Sequence, residues 1–362
     1  MWGQWIGSIK GTNQGSIILS IDHDRPYTGR ISLHDQTGDR ASQIISVELN
    51  ISGENINGKL YDFIPLDDNY LPRLDLINEA WNPKSGSLSG TISNDEKIIG
   101  AWKTDIGTEG KFDFTKFEPL DKYERNAELL SWDKYKEKIQ NNLNSSNKFI
   151  YRGHKNNRYT LTTSFHRTGR RDLYRFSIED IPRIHRNISA KIGQKIDLQD
   201  QVEYGGLINL LQHHSFPTPL LDWTESPYVA AYFSYADIDK YNIPDGCIRI
   251  FEFNQSEWIK KRQPVVSINY PDLTFSLFEL SVLYNPRALP QQSIQAFSNI
   301  SDIEYFIDHY SNEDNVEYLK RYDISLSERD KVMSDLYMMN ITSESLFPGI
   351  EGTCKTFKEK YF

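Results

Sequence analysis

The sequence predicts two domains in series: an all-β small barrel or sandwich over residues 1–118, then an α+β domain over residues 128–362, joined by a linker at 119–127. Three observations carry this. A length of 362 residues is more than one hydrophobic core ordinarily serves. The first third consists of short apolar runs punctuated by Gly and Asn. After the linker, helical and strand periods alternate.

In the first domain, Gly15–Ile21, Ile44–Ile51, Gly86–Ile92, Ile98–Trp102 and Gly110–Phe114 read as strands. Ser46-Val-Glu-Leu-Asn-Ile51 alternates apolar and polar residues, as a half-buried strand does. Gly3-Gln-Trp5 and Gly100-Ala-Trp102 near its two ends predict neighbouring strands that close a barrel. Such a module serves structure, holds a partner protein, or binds a small molecule in its interior.

In the second domain, Leu129–Asn144 is an amphipathic helix with Leu130, Trp132, Tyr135 and Ile139 on one side, and Phe149–Gly153 is a strand ending at glycine. Helices follow at Arg175–Ile192 and Leu198–His214. Ser226 caps another, with Pro227 in its first turn and Tyr228–Ala236 as its body. Gly246–Phe253 is the clearest strand. Phe275–Leu283 fits helix or strand equally, Ile294–Phe297 is a short strand, and Tyr318–Ile324 is an edge strand. Ser327–Met339 is a helix that Ser327 and Asp330 would open in the manner of a capping box.

A net charge of −9 argues against broad nucleic-acid binding. The local basic set Arg167, Arg170, Arg171, Arg175, Arg183 and Arg186 reads as a solvated helix face. Two cysteines, Cys247 and Cys354, give neither a metal spacing nor a disulfide framework, and no metal is expected. With no secretory start and no long apolar run, the sequence predicts a cytoplasmic protein without a membrane span. Walker, Gly-x-Gly-x-x-Gly and Gly-x-Ser-x-Gly phrases do not occur.

Polar residues converge instead on strand ends. Arg152, before Gly153, offers a bidentate fork for phosphate or carboxylate; alternatively it pairs with Asp222 inside the fold. Gly153 would admit a ligand close to the backbone. Gln212, His213 and His214 end a helix, where neighbouring side chains diverge, so one histidine at most joins Gln212. Asp222 would orient a histidine or hold an arginine. Trp223 would stack on a ring or belong to the core. Thr224 and Ser226 would bond a ligand or cap the next helix.

These phrases resemble the FRG domain family, named for a Phe/Tyr-Arg-Gly motif. The resemblance spans residues 125–355. It rests on Tyr151-Arg-Gly153, on Thr163-Ser-Phe165 with Arg167, and on Leu211–Pro227. It rests further on Asn285-Pro-Arg287 with Gln291 or Gln292, and on Ile341–Ile350. Two positions depart from the family pattern: Ser215 stands where glycine is usual, and Pro219 where arginine is usual. A weaker resemblance, to ADP-ribosyltransferases, implies that Tyr151, Arg152 and Gly153 hold the phosphates of NAD. It also equates Trp223–Ser226, followed by Ala230–Phe233, with a second NAD-binding strand and helix. The glutamate that a third strand should carry is absent; Gln291, Gln292 and Gln295 stand there, with Glu279 the nearest acid upstream.

Together the resemblances imply an enzyme that transfers ADP-ribose or hydrolyses NAD, with NAD as substrate. Arg152, His213, Asp222 and Gln291 would be catalytic; Tyr151, Gly153, Gln212, Trp223, Thr224 and Ser226 would bind the nucleotide. They also imply a setting as a toxin or phage-defence effector. Two alternatives stand beside this: a non-catalytic nucleotide- or protein-binding module with the β domain holding a partner, and a metal-independent nuclease.

Overall fold

The computed structural model describes all residues except 39–40, 95, 118–124, 144, 194, 240, 242, 266, 280–286 and 362. Eight antiparallel strands close a barrel: β1 (Gly3–Gly11), β2 (Gln14–Ile21), β3 (Thr28–Asp35), β4 (Gln43–Ser52), β5 (Asn55–Pro65), β6 (Ser85–Ser93), β7 (Lys97–Thr104) and β8 (Glu109–Lys116). Trp5, Ile21, Val47, Ile56, Ile98 and Phe114 fill its interior from alternate positions on their strands. Closure runs between β1 and β8, with Trp5 opposite Lys116. The expected pairing of Gly3–Trp5 with Gly100–Trp102 is therefore corrected: β7 pairs with β6 and β8, and β8 lies between it and β1.

The remaining strands form one sheet in the order β13-β14-β11-β10-β12-β15-β9. These are β9 (Glu128–Leu130), β10 (Phe149–His154), β11 (Leu220–Thr224), β12 (Cys247–Asn254), β13 (Phe275–Phe278), β14 (Ser293–Ser298) and β15 (Leu319–Ser325). All pairs are antiparallel except β15 with β9. The expected edge strand at Tyr318–Ile324 is thus interior, because Glu128–Leu130 adds itself outside β15. Residues 275–278 resolve as strand, whereas 280–283 lie outside the described residues. So do 119–124 of the expected linker and Asn285. Arg125, from the linker's end, is ion-paired with Asp302 at 3.1 Å and Glu304 at 3.3 Å.

Helices are α1 (Trp132–Leu143), α2 (Ser164–Arg167), α3 (Leu173–Arg175), α4 (Ile181–Ile192), α5 (Gln201–His213) and α6 (Pro227–Tyr235), then α7 (Gln255–Lys261), α8 (Ile303–Asp314), α9 (Arg329–Met338), α10 (Ser343–Leu346) and α11 (Ile350–Tyr361). Helices α1, α6 and α9 pack on one sheet face, where Trp132, Tyr135, Tyr232 and Leu336 meet Tyr151, Ile248 and Tyr322. Helices α7 and α8 cover the other with Trp258, Ile303 and Phe306 against Phe251, Phe253 and Trp223. Ser226 accepts from the Val229 N–H and caps α6 as expected. Ser327 does not cap α9. Ser325 opens a short 3-10 turn whose end runs into that helix.

Barrel and sheet are docked by buried polar groups. Asp22, 2% exposed, follows β2. It accepts from Arg170 Nε at 2.7 Å, Arg175 Nη1 at 2.7 Å, and the N–H groups of Arg171 and Asp172 at 2.6 and 2.9 Å. Gln4 on β1 donates to Asn299 O at 2.7 Å and accepts from Ser301 N. The basic set read as a solvated face is corrected in part: Arg183 and Arg186 on α4 are exposed, as is Arg167, whereas Arg171 and Arg175 are buried. Arg170 and Arg175 are held by Asp22, Asp24 and Asp180 at the contact with the barrel. Among the described residues no helix is long and apolar enough to cross a membrane.

Candidate functional site

The site forms where β10 and β11 part. These neighbours share a single register pair, Tyr151 with Thr224, and then splay. A carbonyl left without a strand partner needs another donor. The Arg152 guanidinium supplies it, donating from Nη1 to the Asp222 backbone oxygen, while its Nε donates to His154 Nε2 at 3.2 Å. Arg152 and Asp222 therefore meet through the backbone, and the Asp222 side chain stays exposed.

Gln212 fixes that side chain. Its Nε2 donates to Asp222 Oδ2 at 3.0 Å, and its Oε1 accepts from Thr218 Oγ1 and from Ser164 Oγ at 3.4 Å. With the amide oxygen so occupied, the amide nitrogen is presented to the carboxylate. Gln212 thus acts on Asp222. The expected histidine partner is not joined to it: the His213 ring packs edge-on against His214 at 5.1 Å, and Gln212 takes the carboxylate instead. Burial, and next the charge of Arg287, lower His213 from its ordinary value.

Two arginines face this opening. Burial, opposed by Asp222 and reinforced by the charge of Arg167, lowers Arg152 to about 10. Burial likewise lowers the exposed-tipped Arg167, whose Nη1 donates to Thr162 O at 2.7 Å. Among the described residues neither guanidinium forms an ion pair, although most buried arginines of this chain do. A desolvated cation without a counter-ion is costly, and an anionic ligand would offset that cost. His154 is held neutral between two neighbours: one nitrogen accepts from Arg152 Nε, and Nδ1 faces Tyr159 O at 3.2 Å. Burial and then the Arg152 charge push it down to about 3.

The other expected residues serve the scaffold around this opening. Tyr151 is 3% exposed and turns to the opposite face, where its hydroxyl accepts from Asn142 at 3.4 Å. Trp223, 2% exposed, packs on Phe253 and Phe275, so the core reading replaces ring stacking. Thr224 Oγ1 donates to Gln291 O at 2.7 Å, and Gln291 Nε2 donates to Leu346 O at 3.0 Å, tying the turn before β14 to the end of α10. Ser226 is occupied as a cap. At Gly153 a Cβ would stand 2.0 Å from Ala230 O, so α6 rather than a ligand requires glycine there.

Among the three glutamines, Gln295 is the one opposite Asp222, as its register partner on β14. It is 3% exposed; Nε2 donates to Ser293 Oγ at 2.8 Å, and Oε1 has no partner among the described residues. Sequence reasoning gave His154 no role, and it placed Arg167 in the family phrase and the basic set without assigning it to this opening. The signal available was, for His154, its place directly after the Tyr-Arg-Gly phrase and, for Arg167, its place just after Thr163-Ser-Phe165. Among the described residues no group of three or more His, Cys, Asp or Glu side chains is placed to hold a metal ion.

Fold and site define a closed barrel followed by an α/β region built around an arginine-bearing, splayed strand pair. That region carries an FRG domain: the FRG domain family model matches residues 147–242. No curated protein matches the chain. Among solved structures, it is similar to the redesigned β-barrel mFAP1 bound to DFHBI, at 10% identity over 32% of this chain and 94% of that one, TM-score 0.23. A fluorescence-activating β-barrel designed de novo aligns at 12% identity over 32% and 93%, TM-score 0.20. Rhizavidin aligns at 11% identity over 33% and 88%, TM-score 0.19. At these scores the three likenesses carry no argument.

Proposed function

We propose that the FRG region binds a pyrophosphate-bearing nucleotide across Arg152 and Arg167 and acts on NAD at the bond between ribose and nicotinamide. The observation that carries this reading is the partly buried Arg152 guanidinium without an ion-pair partner among the described residues, set beside the exposed Arg167 and an exposed carboxylate that Gln212 orients. Two forks suit two phosphates, and the carboxylate suits the positive charge that follows.

In this reading the C1′–N bond breaks, its electron pair leaves with nicotinamide, and positive charge passes to the ribose. Asp222 stabilises that oxocarbenium character, as carboxylates do in glycoside cleavage. Water, or a nucleophile of an acceptor, adds to C1′ and gives its proton to Asp222 or to solvent. Unchecked turnover of this kind would deplete a cell of NAD, in keeping with a toxic or phage-defence effector.

Nicotinamide release from NAD, followed by mass spectrometry with the protein alone and with cell lysate, tests the reading. Loss of release in Arg167→Ala and Asp222→Asn, with melting unchanged, is the expected result; Arg167 and Asp222 are exposed, so both variants should fold. A mass increase on a lysate component would mean transfer. Full release from Arg152→Ala would sink the clamp.

One observation favours a second reading. Gln295 holds the place opposite Asp222 with an amide, which bonds a ribose hydroxyl but neutralises no charge. A module that binds the nucleotide without turnover would show a raised melting temperature with NAD recovered intact.

A further inference from the structure

We propose that the barrel is itself a binding site for one small, flat, neutral, largely apolar molecule carrying a single hydrogen-bond acceptor such as a carbonyl.

The two ends of the barrel are built differently. Toward the end that carries Asp22, the interior is filled by Trp5, Leu19, Ile21, Val47, Ile56 and Ile92. Toward the end that carries the turns at 12–13 and 105–108, the inward residues line a space without filling it. About 730 Å³ is empty there, including its open mouth, between Ile9, Ile31, Leu33, Leu60, Leu88 and Phe112. An eight-stranded barrel is just wide enough to be packed solid or to keep room for one small ligand. The apolar lining is that of small-molecule sites.

The mouth is organised. The connection from β5 to β6, residues 66–84, is long for an antiparallel barrel, and such loops are ordinarily functional. Asn82, 1% exposed, pins it: Nδ2 donates to Phe63 O at 2.9 Å and Ile77 O at 3.0 Å, and Oδ1 accepts from Gln43 Nε2 at 2.8 Å. This holds Trp81 at the rim with 42% of its surface exposed, an expensive position for a tryptophan that covers nothing.

The polar groups of the wall specify the occupant. Thr104 and Thr108 hydroxyls bond each other at 2.6 Å, and Asn13 Nδ2 donates to Asp35 at 2.6 Å. Trp102 Nε1 is the exception, a buried donor in the cavity wall with no acceptor among the described residues. Buried indole N–H groups are ordinarily bonded. Among the described residues no charged side chain lines the space, so the ligand is neutral, with its acceptor directed at Trp102.

Titration of the full chain with prodan, a flat neutral naphthalene ketone with environment-sensitive emission, tests this. The expected result is saturable one-to-one binding with a blue shift. Trp102→Phe, which keeps an aromatic ring and removes the donor, should weaken it about tenfold. Trp81→Ala, at an exposed position, should weaken it without lowering the melting temperature. Ile31→Trp, which fills the space, should abolish it. Absence of saturable binding, or binding indifferent to Trp81→Ala and Trp102→Phe, would overturn the proposal even if Ile31→Trp failed to fold.

Discussion

Gly153 and Ala230 are in contact through the backbone: a Cβ on the glycine would stand 2.0 Å from the alanine carbonyl and 2.2 Å from Ser234 Oγ. Helix α6 lies on β10 at the one place in the Tyr-Arg-Gly phrase that has no side chain. The glycine sets the closeness of that helix, and the helix in turn sets the strand end from which Arg152 projects.

Gly153→Ala should accordingly cost about 1–3 kcal/mol, as overpacking of a tight contact does. A thermal melt measures it. An unchanged melting temperature would mean that α6 can move away freely.

Removing the Asp22 carboxylate leaves two buried N–H groups and one side of Arg170 and Arg175 without their acceptor. Asp24 and Asp180 still hold the two guanidiniums, which moderates the loss. Asp22→Ala should destabilise by about 2–4 kcal/mol and separate the unfolding of barrel and sheet. Urea denaturation read by fluorescence and by circular dichroism would then give non-coincident transitions; coincident curves at the native midpoint would refute the role.

Ser215 has φ of +62° after the last turn of α5, a conformation that favours glycine. Its departure from the family pattern is thus one of side chain and not of backbone. Ser215→Gly should stabilise by about 0.5–1 kcal/mol, by relief of αL strain partly offset by unfolded-chain entropy. A chemical denaturation midpoint that moved down would contradict this.

His154 is neutral in the folded chain down to about pH 3 but would take a proton near its ordinary value, about 6.5, once unfolded. The unfolded state therefore binds more protons between these values, and stability contributed by this residue is lost as pH falls from about 6.5 toward 3. The limiting slope is about 1.4 kcal/mol per pH unit. Burial raises the Asp172 carboxyl to about 6, which gives the opposite slope at overlapping pH, so the comparison must be between variants. His154→Gln should flatten the acid limb relative to the native chain; parallel limbs would exclude His154 as its source.

Strand existence was legible where the sequence alternates, as in Ser46–Ile51, and helix starts where a side chain caps its own helix, as at Ser226. Barrel closure was not. Gly3-Gln-Trp5 and Gly100-Ala-Trp102 look alike because each places a tryptophan on an inner face, which says nothing about adjacency. In the site, Arg152, Gln212 and Asp222 were legible as polar residues at element ends. Their division of labour was not, since it depends on Thr218 and Ser164 occupying one end of the Gln212 amide. The burial of Trp223 and the docking by Asp22 follow from contacts remote in sequence, which local pattern does not encode.

The strand β1 also has a bearing on how the chain folds as it is made. It precedes the rest of the barrel in the chain, yet its barrel neighbour β8 is about a hundred residues downstream, and the Asn299 partner of Gln4 is 295 residues away. Loop closure over such separations is slow. On the ribosome, β1 has only β2 to pair with until residue 116 is free, and the finished barrel can take up its contacts with residues 170–175 well before those with residues 299–301 exist. A barrel that completes itself early and is joined in two stages gives synthesis an interval in which the FRG region is present but not yet assembled.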